Sequence, residues 1–369
     1  MRNSYHKRIR RAGFLMALTL LVQVSITRAQ GLAAFVDYRE HFYVFDRGNI
    51  RQLEHLPVLS FKVGKWALAY QRNDGALMIY HNGVKRKLSE VVENYEITEG
   101  LLVYTYNDNL FVYEGREKTT LTMNAPYHKA DGRLVAFYDD IDKMFKVYYK
   151  GQVFEVESAL SAPPVDNFKV GDNMMAYLDP NSYLQAFFEG TTRELILAQG
   201  KPSYQVDRNL VVYYDVTRSS LRLFHVYGQR ELATFRPLSY KVADERVAFV
   251  DNDGSFRLYE NDRVRTLSTI TPDFYVLRDS MLVYEQQNEL MAYYGGQIRR
   301  LENFIPSRIQ YGFNLVAYLN ERNHLRVYHR GRMKTITYEP ANRFEVFWDV
   351  VWYNVGVNTN KVYYNGKIY

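Results

Sequence analysis

Apolar residues return along this chain in short runs that close on an aromatic ring, and clusters of Asn, Asp and Gly separate them, with a period of about 35 residues. Self-similarity at a fixed period marks architectures in which each copy needs its neighbours to bury its apolar surface. Two aromatic columns carry the period. The first closes runs such as Leu101-Leu102-Val103-Tyr104 and comprises Phe35, Tyr70, Tyr104, Phe137, Tyr177, Tyr213, Phe249, Tyr284, Tyr318 and Tyr353, spaced 33 to 40 residues apart. The second follows nine to eleven residues later, at Phe45, Tyr80, Tyr113, Tyr148, Phe187, Phe224, Tyr259, Tyr293, Tyr328 and Tyr363. Between the columns lie turn residues such as Asn73-Asp74-Gly75 and Asn107-Asp108-Asn109, which tolerate the positive φ of tight hairpins.

Each unit therefore reads as four strands, as in Tyr95–Thr98, Leu101–Tyr106, Leu110–Tyr113 and Lys118–Thr122. Short connections make them an antiparallel meander. The second strand is almost continuously apolar and must be covered on both faces, whereas the fourth alternates, as in Ile298-Arg299-Arg300-Leu301, and belongs at an edge. Nine of the ten prolines fall between one unit's fourth strand and the next unit's first, and Pro180 sits in a hairpin turn, as expected of a residue that cannot donate to a ladder.

Small meanders covered on both faces must stack, and radial stacking around an axis satisfies every copy. In its columns, turns and prolines the chain resembles β-propeller repeat proteins over nearly all of residues 31–369, without a Trp-Asp, Asp-box or kelch signature. The resemblance implies an all-β fold of about ten four-stranded blades in one domain, residues 30–369, as one ring or as two five-bladed rings. Unit one lacks a first strand and the chain stops within a fourth, so closure is expected to rely on side-chain packing between the terminal blades.

Residues 1–29 form a separate case. Lys7, Arg8, Arg10 and Arg11 precede the apolar run Ala12–Val22, and Thr27-Arg28-Ala29 follows it, which is the order of a secretory signal cleaved before Gln30. The run is too short to span a membrane, so no stable membrane insertion is expected after cleavage. The Ala-Gln junction resembles those of exported proteins of the Bacteroidetes type. The leader holds six Lys or Arg and no acid, leaving 41 basic against 41 acidic residues in the mature chain. The excess positive charge thus belongs to the discarded segment, and nucleic acid is excluded as a default partner. The absence of cysteine removes disulfides, thiolate ligands and a lipid-modified terminus, leaving a periplasmic or secreted chain whose core must suffice.

The 33 tyrosines would suit sugar stacking, yet fourteen of them sit in the two columns, where burial accounts for them. Two residues beyond the first column, units four to seven carry Asp139, Asp179, Asp215 and Asp251, which a ring would set out as an arc on one rim. Asp also opens turns by accepting backbone N–H bonds. Arg72 and Asn320 occupy hairpin tips of units two and nine, and the six residues together define a candidate ligand-binding rim. No cofactor is expected, Ca²⁺ on the acidic arc being the one ion the pattern admits. No catalytic constellation or protein metal site is visible, and the seven mature histidines form no metal-type pair. The sequence favours a non-enzymatic binding or scaffold protein of the bacterial envelope with a protein or glycan ligand. The alternative is a glycan hydrolase or lyase using opposed carboxylates on a propeller scaffold.

Overall fold

Tandem aromatic columns need a partner surface on each side, and the fold supplies it ten times. The computed structural model describes residues 31–158, 162–200 and 202–369; the expected leader lies outside them. Blades occupy residues 32–54, 60–89, 94–122, 128–158, 168–197, 204–233, 239–268, 275–302, 309–335 and 341–368. Each is a four-stranded antiparallel sheet in chain order, except that blade 1 has three described strands. Among the described residues there is no α-helix, only a single 3-10 turn at Val165–Asn167.

Blade 3 shows how sequence sets the local geometry. Its strands are Asn94–Ile97, Leu101–Tyr106, Asn109–Glu114 and Glu117–Thr122. Asn107 and Asp108 take φ of 50° and 61°, the paired positive values of a two-residue hairpin. The second strand is buried from Leu101 to Tyr104, while the fourth is exposed over its first four residues. In blades 1 to 8 the pairing of third and fourth strands slips by one residue at a bulge, which twists the outer edge and disfavours pairing with another chain.

No member of either aromatic column is more than 6% exposed. Several of their hydroxyls tie a blade to the one before, whereas those of Tyr104, Tyr213 and Tyr284 are buried without a hydrogen-bond partner. Tyr80 donates to Asp46 at 2.9 Å, Tyr148 to Glu114 at 2.7 Å, Tyr70 to Glu54 at 2.7 Å and Tyr177 to Glu157 at 2.8 Å. Burial of such rings contributes about 1.5–3 kcal/mol each, and the acceptors satisfy the polar tip.

There is no single core. The buried apolar residues form ten clusters, each between two adjacent blades. One cluster joins blade 5 to blade 6 through Met174, Ala176, Val211 and Tyr213. Another joins blade 10 to blade 1 through Val350, Trp352, Ala33 and Phe35. Two five-bladed rings would have neither contact, so the chain is one ten-bladed ring.

Among the described residues the closing seam has no shared strand. Phe35 stacks on Trp352 at 5.9 Å, and Phe45 meets Tyr369 at 5.2 Å and Tyr364 at 5.9 Å. Gly31, at φ 57°, lies so close to Tyr364 that a Cβ would fall 2.5 Å from its ring. Among the described residues, side-chain packing joins the terminal blades.

Candidate functional site

A ring of meanders has two unlike faces. One carries the second-to-third hairpins and the interblade linkers; the other carries the first-to-second and third-to-fourth hairpins. All six rim residues expected from sequence lie on the first face.

There the aspartates are engaged by their own turns. Asp139, 4% exposed, accepts from Lys146 Nζ at 2.9 Å, Thr122 Oγ1 at 2.7 Å and the Ile141 N–H at 3.1 Å. Asp179 accepts from the Tyr183 N–H at 2.8 Å and Gln185 at 3.0 Å. Asp215 holds the Arg218 N–H and guanidinium, both at 3.1 Å. Asp251 accepts from the Asn252 N–H at 2.8 Å and pairs with Arg257 at 3.2 Å. Arg72 pairs with Asp74 at 2.8 Å, and Asn320 accepts the N–H groups of Arg322 and His324 at 3.0 and 2.9 Å. Among the described residues no group of three or more His, Asp or Glu side chains converges as a metal site.

What distinguishes this face is apolar exposure. Leu56, Leu59, Met123, Phe235, Leu238 and Tyr338 in linkers, and Tyr38, Ile141 and Val357 in hairpins, are each more than half exposed. Asn320 borders a cleft of about 320 Å³ between blades 8 and 9, with Tyr338 set edge-on to His324 at 5.7 Å.

On the opposite face the tips of the first-to-second hairpins reach the axis. These tips fall five residues before the first aromatic column, at Lys65, Glu99, Gly132, Asp172, Arg208, Asp244, Asp279, Phe313 and Trp348. Arg208 of blade 6 pairs with Asp172 at 2.7 Å, Asp244 at 2.9 Å and Glu99 at 3.1 Å, reaching blades 5, 7 and 3. Lys65 of blade 2 pairs with Glu99 at 2.9 Å and sits 5.7 and 5.8 Å from the rings of Phe313 and Trp348 in blades 9 and 10. Adjacent tips are stitched by backbone bonds such as Arg133 N–H to Asp172 O at 2.9 Å and Phe313 N–H to Trp348 O at 2.7 Å. The side chains thus bridge one mouth of the channel in a joint of paired charges and aromatic rings.

Around this joint burial sets the protonation behaviour. Asp279 and Asp349 are each pushed up to about 6, chiefly by burial, and each has one carboxylate oxygen buried without a protein partner. Burial, followed by the charge of Arg330, lowers His329 to about 4, so it is neutral at pH 7. Burial pulls Arg208 down, yet Asp172, Glu99 and Asp244 outweigh it and hold the guanidinium above its ordinary value.

Deeper in the channel the innermost strands form a third aromatic column, nine residues before the first: Phe61, Tyr95, Phe168, Tyr204, Tyr240, Tyr275 and Phe344, with His128 and Ile309 in blades 4 and 9. The next residue along the strand staples neighbours together. Lys62 donates to Tyr95 O at 2.6 Å, Lys129 to Phe168 O at 2.9 Å, Lys169 to Tyr204 O at 2.7 Å and Gln205 to Tyr240 O at 2.7 Å.

Repeat reasoning missed the mouth because it weighs what recurs. Aligning the units on the first column exposes position minus five as the one that carries Lys, Glu, Asp, Arg, Phe and Trp in turn, and that variation was the available signal.

Among the described residues no helix is long and apolar enough to cross a membrane. No curated protein matches the chain in sequence. Among solved structures it is similar to an initiation factor described as eukaryotic, at 11% identity over 82% of this chain and 94% of that one, with a TM-score of 0.47. It is also similar to the computationally designed protein Ika8, at 14% identity over 73% and 95%, with a TM-score of 0.37. A third similarity is to PorZ, a surface component of the type-IX secretion system of Porphyromonas gingivalis, at 8% identity over 89% and 56%, with a TM-score of 0.30. None of these likenesses bears on function. Residues 26–369 match the family described as the 10-bladed beta propeller domain, and with its ten blades in one ring the chain belongs to that family.

Proposed function

We propose that this is a non-enzymatic binding or scaffold protein, exported to the bacterial envelope, that docks a protein partner on the face of second-to-third hairpins and linkers. The observation that carries the reading is the concentration of exposed apolar side chains there. Among the described residues the large apolar side chains more than half exposed lie on that face, apart from Tyr227. Leu56 with Leu59 and Phe235 with Leu238 share their linkers, so the exposure is more than singly scattered side chains, which alone would need no explanation. The hairpins and linkers of the face also carry more carboxylates than cations, with Asp74, Glu90, Asp142, Asp253 and Glu339 among them. A complementary partner is therefore apolar at its centre and basic at its rim. Asp139, Asp179, Asp215, Asp251, Arg72 and Asn320 serve this reading by fixing the turns that present the surface.

The test uses a photocrosslinking amino acid at Leu238 or Met123 in the native envelope, with Ile298 on an outer edge strand as the control position. One protein adduct is expected from the first two sites, and it should vanish when Leu59 and Phe235 are replaced by Glu. Absence of an adduct, or the same adducts from Ile298, defeats the reading. Export is checked separately by N-terminal sequencing of the envelope-fraction protein, which should begin at Gln30.

A further inference from the structure

A second polar cleft lies on the other face. It runs between blades 6 and 7, has a volume of about 650 Å³ and reaches from the third-to-fourth hairpins to Arg208 at the channel mouth. At its outer lip stands Tyr227, 92% exposed. That position, three residues after the second aromatic column, is glycine in seven other blades, where Gly48, Gly83, Gly151, Gly190, Gly296, Gly331 and Gly366 all take positive φ. In blade 6 the turn is rebuilt: Tyr227 has no positive φ and Gly228 takes φ 153° instead. Folding gains nothing from a ring left in water, so the departure from the framework calls for a ligand that covers it. His225 lies beside it at 5.0 Å, giving a two-ring platform.

The floor specifies what that ligand is. Each cation in the cleft already has its carboxylate: Arg230 contacts Asp262 at 3.4 Å, Arg246 contacts Asp244 at 3.0 Å and Arg208 holds three. A charged ligand would have to break these pairs, and an apolar one would strand them. Hydrogen-bonding capacity remains nonetheless. The Gln229 and Asn261 amides, which line the cleft, make no side-chain hydrogen bond within the protein. A neutral polyhydroxylated ring can lay its C–H face on Tyr227 and His225 while its hydroxyls bridge the amides and the paired charges in place.

We infer that the cleft between blades 6 and 7 binds a neutral oligosaccharide, with Tyr227 as its stacking platform and Gln229 and Asn261 as hydroxyl partners. This site is independent of the protein-docking face and lies on the opposite side of the ring.

The mature chain is titrated calorimetrically with cellotetraose, laminaritetraose, maltotetraose and mannotetraose, and with a sulfated tetrasaccharide. At least one neutral tetrasaccharide is expected to bind. Tyr227→Ala should weaken it tenfold or more and Gln229→Ala several-fold, while Tyr338→Ala on the other face leaves it unchanged. Tyr227 is exposed, and an unaltered melting temperature verifies that its variant is folded. Failure of all four neutral sugars to bind, binding that Tyr227→Ala leaves intact, or salt-sensitive binding of the sulfated sugar alone overturns the inference. None of these outcomes touches the crosslinking result at Leu238.

Discussion

Asp139 and Asp349 are buried carboxyls of opposite kind. Burial works to raise Asp139, but Lys146, Thr122 and the N–H groups of Asp142 and Ile141 outweigh it and hold the carboxylate below its ordinary value. A depressed folded-state value gives stability that is present above the unfolded pKa near 4 and lost as pH falls through the folded one. Asp139→Ala strands the buried Lys146 ammonium, which Asp142 covers only in part, and is expected to cost about 3 kcal/mol at pH 7. Urea midpoints should show the loss shrinking towards pH 3. Asp349 runs the other way: burial raises it to about 6, with one oxygen unpartnered. Its contribution is full below pH 4 and disappears as pH rises through 6, so ionised Asp349 destabilises the ring at pH 7. Asp349→Asn should therefore raise the melting temperature by several degrees at pH 7.5, corresponding to at most about 3 kcal/mol, and leave it unchanged at pH 4. Sequence singled out Asp139 through its place after an aromatic column. Asp349 escaped notice because desolvation depends on neighbouring blades that no local pattern names.

The blade was the most legible unit. Two aromatic columns, the Asn-Asp turns and the linker prolines placed its strands within a residue or two, as in blade 3. The innermost strand was less legible: it is only three to five residues long in blades 2 to 9, and His128 and Ile309 interrupt its aromatic column. Its regularity lies in contacts across blades, such as Lys62 to Tyr95 O, which sequence spacing alone does not display. Blade 1 is the odd element, with three described strands and a seam to blade 10 that no described strand bridges. Its amides should exchange with deuterium before those of blades 5 and 6. Phe45→Ala, which empties a fully buried position of the seam, is expected to cost about 3–5 kcal/mol and to widen that difference. Uniform exchange across all ten blades would count against a weak seam.

At the scale of the whole molecule, stability is a sum of ten interfaces rather than one core, and each interface depends on the others to keep the circle closed. Arg208 reaches across it with three ion pairs, joining blades 3, 5, 6 and 7. Arg208→Met leaves Glu99, Asp172 and Asp244 facing one another without their shared cation. The expected loss is about 2 kcal/mol at pH 7, relieved by added salt through screening. A variant that melts like the parent at every salt concentration would show that the joint contributes nothing to closure.

The meeting of Gly31 with Tyr364, and of Gly48 with Tyr369, sets the two described ends of the chain side by side. Since no described strand crosses between the terminal sheets, the order in which the blades are threaded is free to change. A short tether from 369 to 31, with new ends opened in the linker around Pro237, should give a circularly permuted protein of the same shape, moving the vulnerable join to a place of the experimenter's choosing.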